Sequence, residues 1–199
     1  YWDSPFGNLN DKTDVSGTDS DIAIAYYNDK DELCLWLIEH KLTEKEFTQC
    51  GGFSSKGKQS NHDCSKSFNA ILSDKSFCYY HDKSKYNYWN ITDQNQSFFI
   101  NNNIQSECPF KGGLNQLWRN QILGMSIESD IRQPFKNVFF SVVKHPRNGA
   151  LDNSLNEYKH LINYNSKFSS MDSIDIVTAA QSVKDVDIQL WCKWYKGLY

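Results

Sequence analysis

The sequence predicts an α/β chain, on three observations. Two apolar, strand-like runs, residues 21–27 and 33–42, flank the turn-rich stretch Asn28-Asp29-Lys30-Asp31-Glu32. An apolar stripe at helical spacing, Leu114, Leu117, Trp118, Ile122 and Met125, follows Gly112-Gly113. Strand-like and helix-like segments then alternate to the end of the chain.

Residues 1–20 are polar and irregular. Asp-Ile-Ala-Ile-Ala-Tyr-Tyr over 21–27 reads as a strand, and Leu33 to Leu42 reads as a longer, mostly buried one. Thr43 to Gln49 predicts a short helix, because Thr43-Glu44-Lys45-Glu46 matches a capping box. The Ser- and Lys-rich stretch 50–68, with Gly51-Gly52, reads as a long loop or small excursion. Residues 69–109 mix short apolar and polar pieces and give no clear assignment. Leu114 to about Glu128 predicts a helix whose Gln116, Arg119 and Asn120 share a second, polar face. Beyond Pro134 come a strand over 137–143, a helix over 154–164, a short strand over 173–178 and a closing helix over 185–195. The closing helix sets Ile188, Trp191, Cys192 and Tyr195 on one side.

The chain has 199 residues, enough for one sizeable core and crowded for two. Aromatics at 15% are too many for a disordered chain. Lys+Arg 21 against Asp+Glu 24 gives a net charge of -3, which excludes a globally basic nucleic-acid binder but not a local basic groove. No apolar run approaches a membrane span and no signal peptide is visible, so a cytoplasmic location is expected. The chain starts at Tyr1 rather than Met, so a processed chain or a fragment is expected.

Six cysteines are present: Cys34, Cys50, Cys64, Cys78, Cys108 and Cys192. Cys34 and Cys192 sit in apolar patterns and read as buried free thiols. No CxxC pair occurs among the other four, which excludes an ordinary zinc knuckle. Cys50, Cys64, Cys78 and Cys108 are left with two readings: reduced structural cysteines, or four thiolates that a fold gathers around zinc or an iron–sulfur cluster. His62 and His81 lie near enough in sequence to replace one ligand. The even count and the sequons at Asn90 and Asn95 keep a secreted, disulfide-bonded binding domain as a further alternative.

Asp19 to Lys41 carries the chemistry. A turn centred on Lys30 opposes Ala25 to Leu35, Ala23 to Leu37 and Asp21 to Glu39 in an antiparallel hairpin. Strand side chains alternate, so Lys41 shares the face of Glu39 and His40 points the other way. Two opposed carboxylates repel, and a divalent cation between them removes that penalty. Hard oxygen ligands with open water positions suit Mg²⁺ or Mn²⁺. Such an ion polarises a phosphodiester and activates water, with Lys41 to orient that water or stabilise charge. A register slip of one residue would make Asp19 the spare candidate.

Asp21, followed after a hairpin by Glu39-His40-Lys41, resembles the D…(D/E)xK signature of the PD-(D/E)XK nuclease superfamily. Gln116-Leu117-Trp118-Arg119-Asn120-Gln121-Ile122-Leu123 is similar to the Q-L-x-R-N/D-x-x-L helix of a restriction endonuclease subgroup. The later order is similar too: a strand, Asn148, then a helix with Tyr158. The resemblance implies a restriction-endonuclease-like mixed central sheet flanked by helices. It also implies that the whole chain, 1–199, is one nuclease-like domain with a cysteine-containing insertion at about 50–108. It implies Asp21 and Glu39 as Mg²⁺ ligands and Lys41 as the catalytic lysine, in an endonuclease that cuts DNA. Some relatives hold iron–sulfur clusters with cysteines, though at a different spacing. The superfamily's Glu-bearing helix before the Asp strand is not evident in this chain.

Gln116, Arg119 and Asn120 become candidates for phosphate contact, Arg through paired hydrogen bonds. Lys56, Lys58, Lys66, Lys144, His145 and Arg147 are weaker candidates for DNA-backbone contact, and solvated loop side chains are the plainer reading. Tyr79, Tyr80, Tyr86, Tyr88 and Trp89 read as core more than as base-stacking platforms. The alternative function is a binding module for nucleic acid or protein on the same fold without catalysis. A homodimer, which two cuts across a duplex would favour, and a partner domain upstream of residue 1 both remain open.

Overall fold

The computed structural model describes residues 8–11, 17–54, 62, 64–100 and 106–197. Four strands form one sheet in the order β1-β2-β3-β4: Ile22–Tyr27, Leu33–Lys41, Asn137–Lys144 and Phe168–Asp172. The first pair is antiparallel and the other two are parallel, so the sheet is mixed, as expected.

The hairpin register follows from its turn. The Asn28 carboxamide oxygen accepts the backbone N–H of Lys30 and of Glu32, each at 2.9 Å. Asp31 takes a left-handed backbone, φ 58°, which a short polar side chain tolerates. The result pairs Ala25 with Leu35 and Ala23 with Leu37. Continued one step beyond β1, the same register sets Asp21 opposite Glu39.

Helix α5 is the spine of the molecule; in chain order α1 to α4 are Gly51–Ser54, Phe68–Ser73, Tyr79–Asp82 and Tyr88–Gln94, and α5 is Leu114–Ser129. One side of α5 lies on the sheet face that carries Leu37, Val138, Phe140 and Val142, all at most 2% exposed. Gly124 permits the close approach, since a Cβ there would stand 3.2 Å from Val138 Cγ1. The opposite side is covered by the excursion between β2 and α5. Phe110 stacks on Trp118 at 4.2 Å, and Tyr88, Trp89, Phe68 and Phe99 close the cluster. Tyr88 and Trp89 are therefore core, while Tyr79, Tyr80 and Tyr86 are half-buried. Burial on both sides explains why Asn115, Asn120 and Gln121 of α5 are shielded from solvent.

Two expected elements are different in the structure. Residues 43–49 are not a helix. The backbone groups that a helix would use are taken elsewhere: Thr43 N–H by the Glu44 carboxylate, Thr48 N–H by Gln116, and the Leu42 and Glu44 carbonyls by Asn148. Residues 173–178 are not a strand but most of helix α7, Ser173–Ala180, started by a capping box between Asp172 and Asp175. The last strand lies just before it, in Phe-Ser-Ser-Met-Asp, where the residues after Phe168 are half-buried and too polar to signal a strand. The remaining helices, α6 (Asp152–Leu161) and α8 (Val186–Lys196), fall close to expectation. On α8 only Cys192 is buried, and Trp191 is 41% exposed. Among the described residues no helix is long and apolar enough to cross a membrane.

Candidate active site

Glu39 sits in the middle strand β2, 5% exposed, at the end of the sheet where α5 begins. Its carboxylate is held on three sides. Oε1 receives Lys41 Nζ at 2.8 Å and Gln116 Nε2 at 2.7 Å, and Oε2 receives Asn120 Nδ2 at 2.9 Å. Gln116 and Asn120 reach it together because they are one helical turn apart. Charge-assisted hydrogen bonds of this kind fix orientation as well as energy.

Burial pushes the Glu39 carboxyl above the usual carboxylate range. The Lys41 ammonium pulls it back, and the negative charge of Asp21 adds to the rise. Asp21 itself is exposed, and its Oδ2 accepts the His40 backbone N–H at 2.7 Å. The Ser20 hydroxyl donates to the Ile38 carbonyl at 2.8 Å and ties the approach to β1 against β2. The register therefore keeps Asp21 at the site, and Asp19 stays outside the strand.

Lys41 is 8% exposed, and besides Glu39 it has Glu44 Oε1 at 3.9 Å. The loop after it is pinned by Asn148, whose Nδ2 donates to the Glu44 carbonyl at 2.9 Å. Tyr158 is fully buried edge-on to Phe168, so it is a core residue. Glu46 and Gln49 hydrogen-bond to each other at 3.2 Å.

Arg119 is placed differently from its two helix partners. Its Nε donates to the Thr18 hydroxyl at 2.9 Å and its Nη2 to the Gly17 carbonyl at 2.7 Å, and the guanidinium lies 5.8 Å from the Tyr88 ring. It anchors the segment that leads into Asp21. Sequence spacing put Gln116, Arg119 and Asn120 on one polar face; the structure turns two of them onto Glu39 and the third onto residues 17 and 18. Thr18, Gly17, Thr48 and Ser20 belong to the site's support and carried no sequence signal. Lys144 is engaged by Asp172 at 3.0 Å and Asp152 at 3.4 Å, and Lys66 lies over the Phe77 ring. Lys56 and Lys58 lie outside the described residues.

The donor set suits a hard divalent cation. The hairpin register sets Asp21, the residue before β1, opposite Glu39 in β2, and each carboxylate oxygen accepts more than one partner. Among the described residues no group of three or more His, Cys, Asp and Glu side chains forms an ion-binding set. Mg²⁺ commonly binds through only one or two carboxylates and completes its shell with water and phosphate oxygens.

A mixed sheet with helices against it, and with an acid pair and a lysine at one end, defines a restriction-endonuclease-like α/β protein. The chain belongs to the family described as Restriction Endonuclease associating with ARP (REase-ARP), whose model matches residues 9–199. No curated protein and no solved structure matches it.

Proposed function

We propose that this protein is a PD-(D/E)XK-type, metal-dependent endonuclease that hydrolyses DNA phosphodiester bonds in a restriction or defence role. The observation that carries the reading is the buried Glu39, coupled to Asp21 and paired with Lys41 on one face of the hairpin. A charged pair on a central core strand costs several kcal/mol of desolvation per ion, and function is the reason such a pair is retained. Family membership supports the nuclease class.

Asp21 and Glu39 would hold Mg²⁺ or Mn²⁺, which supplies positive charge for the phosphate and an activated water. Gln116 and Asn120 hold the Glu39 carboxylate in one orientation, so it needs no reorganisation when DNA arrives. Lys41 carries a shielded ammonium beside the same carboxylate, where it stabilises charge developing on phosphate oxygens. Arg119 fixes residues 17 and 18 and so sets the position of Asp21. Net charge of -3 confines phosphate affinity to local cations rather than the whole surface.

The wild-type chain is expected to nick or cut plasmid or single-stranded DNA with Mg²⁺ or Mn²⁺ and to stop in EDTA. DNA binding without cleavage in any metal would favour the binding-module alternative and would reject this reading.

The raised pKa of Glu39 adds a pH dependence. A carboxyl raised in the folded state holds its proton where the unfolded chain has lost it. Its contribution to stability therefore falls as pH rises from the ordinary range near 4.5 through the folded value. A bound cation needs the carboxylate, so proton and metal compete. Mg²⁺ at about a hundred times its dissociation constant adds about 2.7 kcal/mol when the site is ionised. The expected result is a larger Mg²⁺-dependent rise in melting temperature at about pH 8 than at about pH 5, measured by thermal denaturation. An equal rise at both would place the ion elsewhere.

A further inference from the structure

Four cysteines that are far apart in sequence meet in space. Cys50 directly precedes α1, Cys64 lies in the turn before α2, Cys78 is the residue before α3, and Cys108 follows the excursion's last helical turns. Together they line one small cavity of about 20 Å³, walled by Ile71, Phe77, Tyr80, Trp89, Phe110 and Trp118, with Lys111 at its edge. None of the six cysteines of the chain is in a disulfide. Cys34 and Cys192 are buried elsewhere and do not line this cavity.

Four thiols share one pocket with mostly apolar walls. Apolar side chains would fill such a space, whereas four thiols around a void lose contacts on one side. Trp89 Nε1–H is buried beside the Cys78 sulfur and has no other hydrogen-bond partner, so it is placed to favour the thiolate form of Cys78. The excursion gains little from local structure. Its helices are four to seven residues long, too short to persist on their own hydrogen bonds.

We propose that Cys50, Cys64, Cys78 and Cys108 are the four thiolate ligands of a soft metal centre, zinc or an iron–sulfur cluster, which pins the excursion to α5. Both centres share four-thiolate ligation. Metal binding replaces the thiol protons and joins segments that are far apart in sequence, so metal and fold are coupled. The four cysteines line one cavity, but among the described residues no three such side chains are gathered closely enough to hold an ion. Zinc would draw them inward, and a cluster would fill the space between them. Neither His62 nor His81 lines the cavity, and His62 Nε2 is engaged by Asp82 at 3.0 Å. The inference stands independently of the nuclease reading, since Asp21, Glu39 and Lys41 are not among the cavity's residues.

The test is metal and acid-labile sulfide analysis of the full chain purified without oxygen, repeated after reconstitution with ferrous iron plus sulfide, or with Zn²⁺ alone. The expected result is either stoichiometric iron with matching sulfide and a visible absorption band, or about one zinc per chain without sulfide. Those two results distinguish cluster from ion. Cys192→Ser is expected to keep the metal and Cys78→Ser to lose it. Sub-stoichiometric metal in the wild-type chain in all three preparations would overturn the proposal, whatever the variants do. So would full metal content in Cys78→Ser.

Discussion

Asp21→Asn is expected to lose metal-dependent DNA cleavage by on the order of a thousandfold or more while unfolding at the wild-type temperature. The two halves of that result come from different observations. Asp21 is exposed, and its hydrogen bond to the His40 N–H is one that an Asn carbonyl oxygen can also accept. The fold therefore has little to lose. The proposed cation would lose one of its two carboxylates, and the remaining one, Glu39, is already shared with Lys41, Gln116 and Asn120. Glu39 variants are a poorer test. Truncating Glu39 would leave the shielded Lys41 ammonium with only Glu44 Oε1, at 3.9 Å, as a partner, at a cost of up to about 3–5 kcal/mol, and lost activity would then be confounded with lost folding. Cleavage rate and thermal midpoint, measured on the same preparation, separate the two. Full activity in Asp21→Asn would remove Asp21 from the site.

Trp118→Ala should be the most destabilising single change in the molecule, by about 3–5 kcal/mol. That is a large share of the roughly 5–15 kcal/mol typical of a folded domain. The indole is 1% exposed, stacks on Phe110, packs on Tyr88 and Trp89, and donates from Nε1 to the Thr92 hydroxyl at 2.9 Å. Its loss opens a cavity and leaves Thr92 without that donor, at the seam between α5 and the excursion. Because Gln116 and Asn120 flank it on the same helix, cleavage should fall with stability. Urea unfolding measures the difference. A cost below about 1 kcal/mol would mean that α5 is not clamped from both sides.

Much of the site is legible in the sequence because it depends on short-range rules. The turn at Asn28–Glu32 determines the hairpin register, and strand alternation then brings Glu39 and Lys41 to one face opposite Asp21. Helical spacing likewise groups Gln116 with Asn120. What those two residues touch was not legible. A polar helix face reads as available to solvent or phosphate, and only the packing of α5 against β2 turns it onto Glu39. The missing helix at 43–49 has the same cause: a valid capping pattern lost to side chains from residues 116 and 148, distant in sequence. The last strand was displaced because Phe168–Asp172 is a sheet edge with little apolar content, while Ile174, Ile176 and Val177 belong to a capped helix. The convergence of the cysteines was out of reach for a further reason. It depends on several short helices whose stability is tertiary, so no local periodicity announces them.

The most direct measurement is anomalous diffraction from crystals of the chain soaked in Mn²⁺. The expected result is a peak touching both the Asp21 and Glu39 carboxylates. No peak there, with Lys41 Nζ still closed on Glu39 and Mn²⁺ bound elsewhere or not at all, would contradict the assignment of this site as the metal centre of a nuclease.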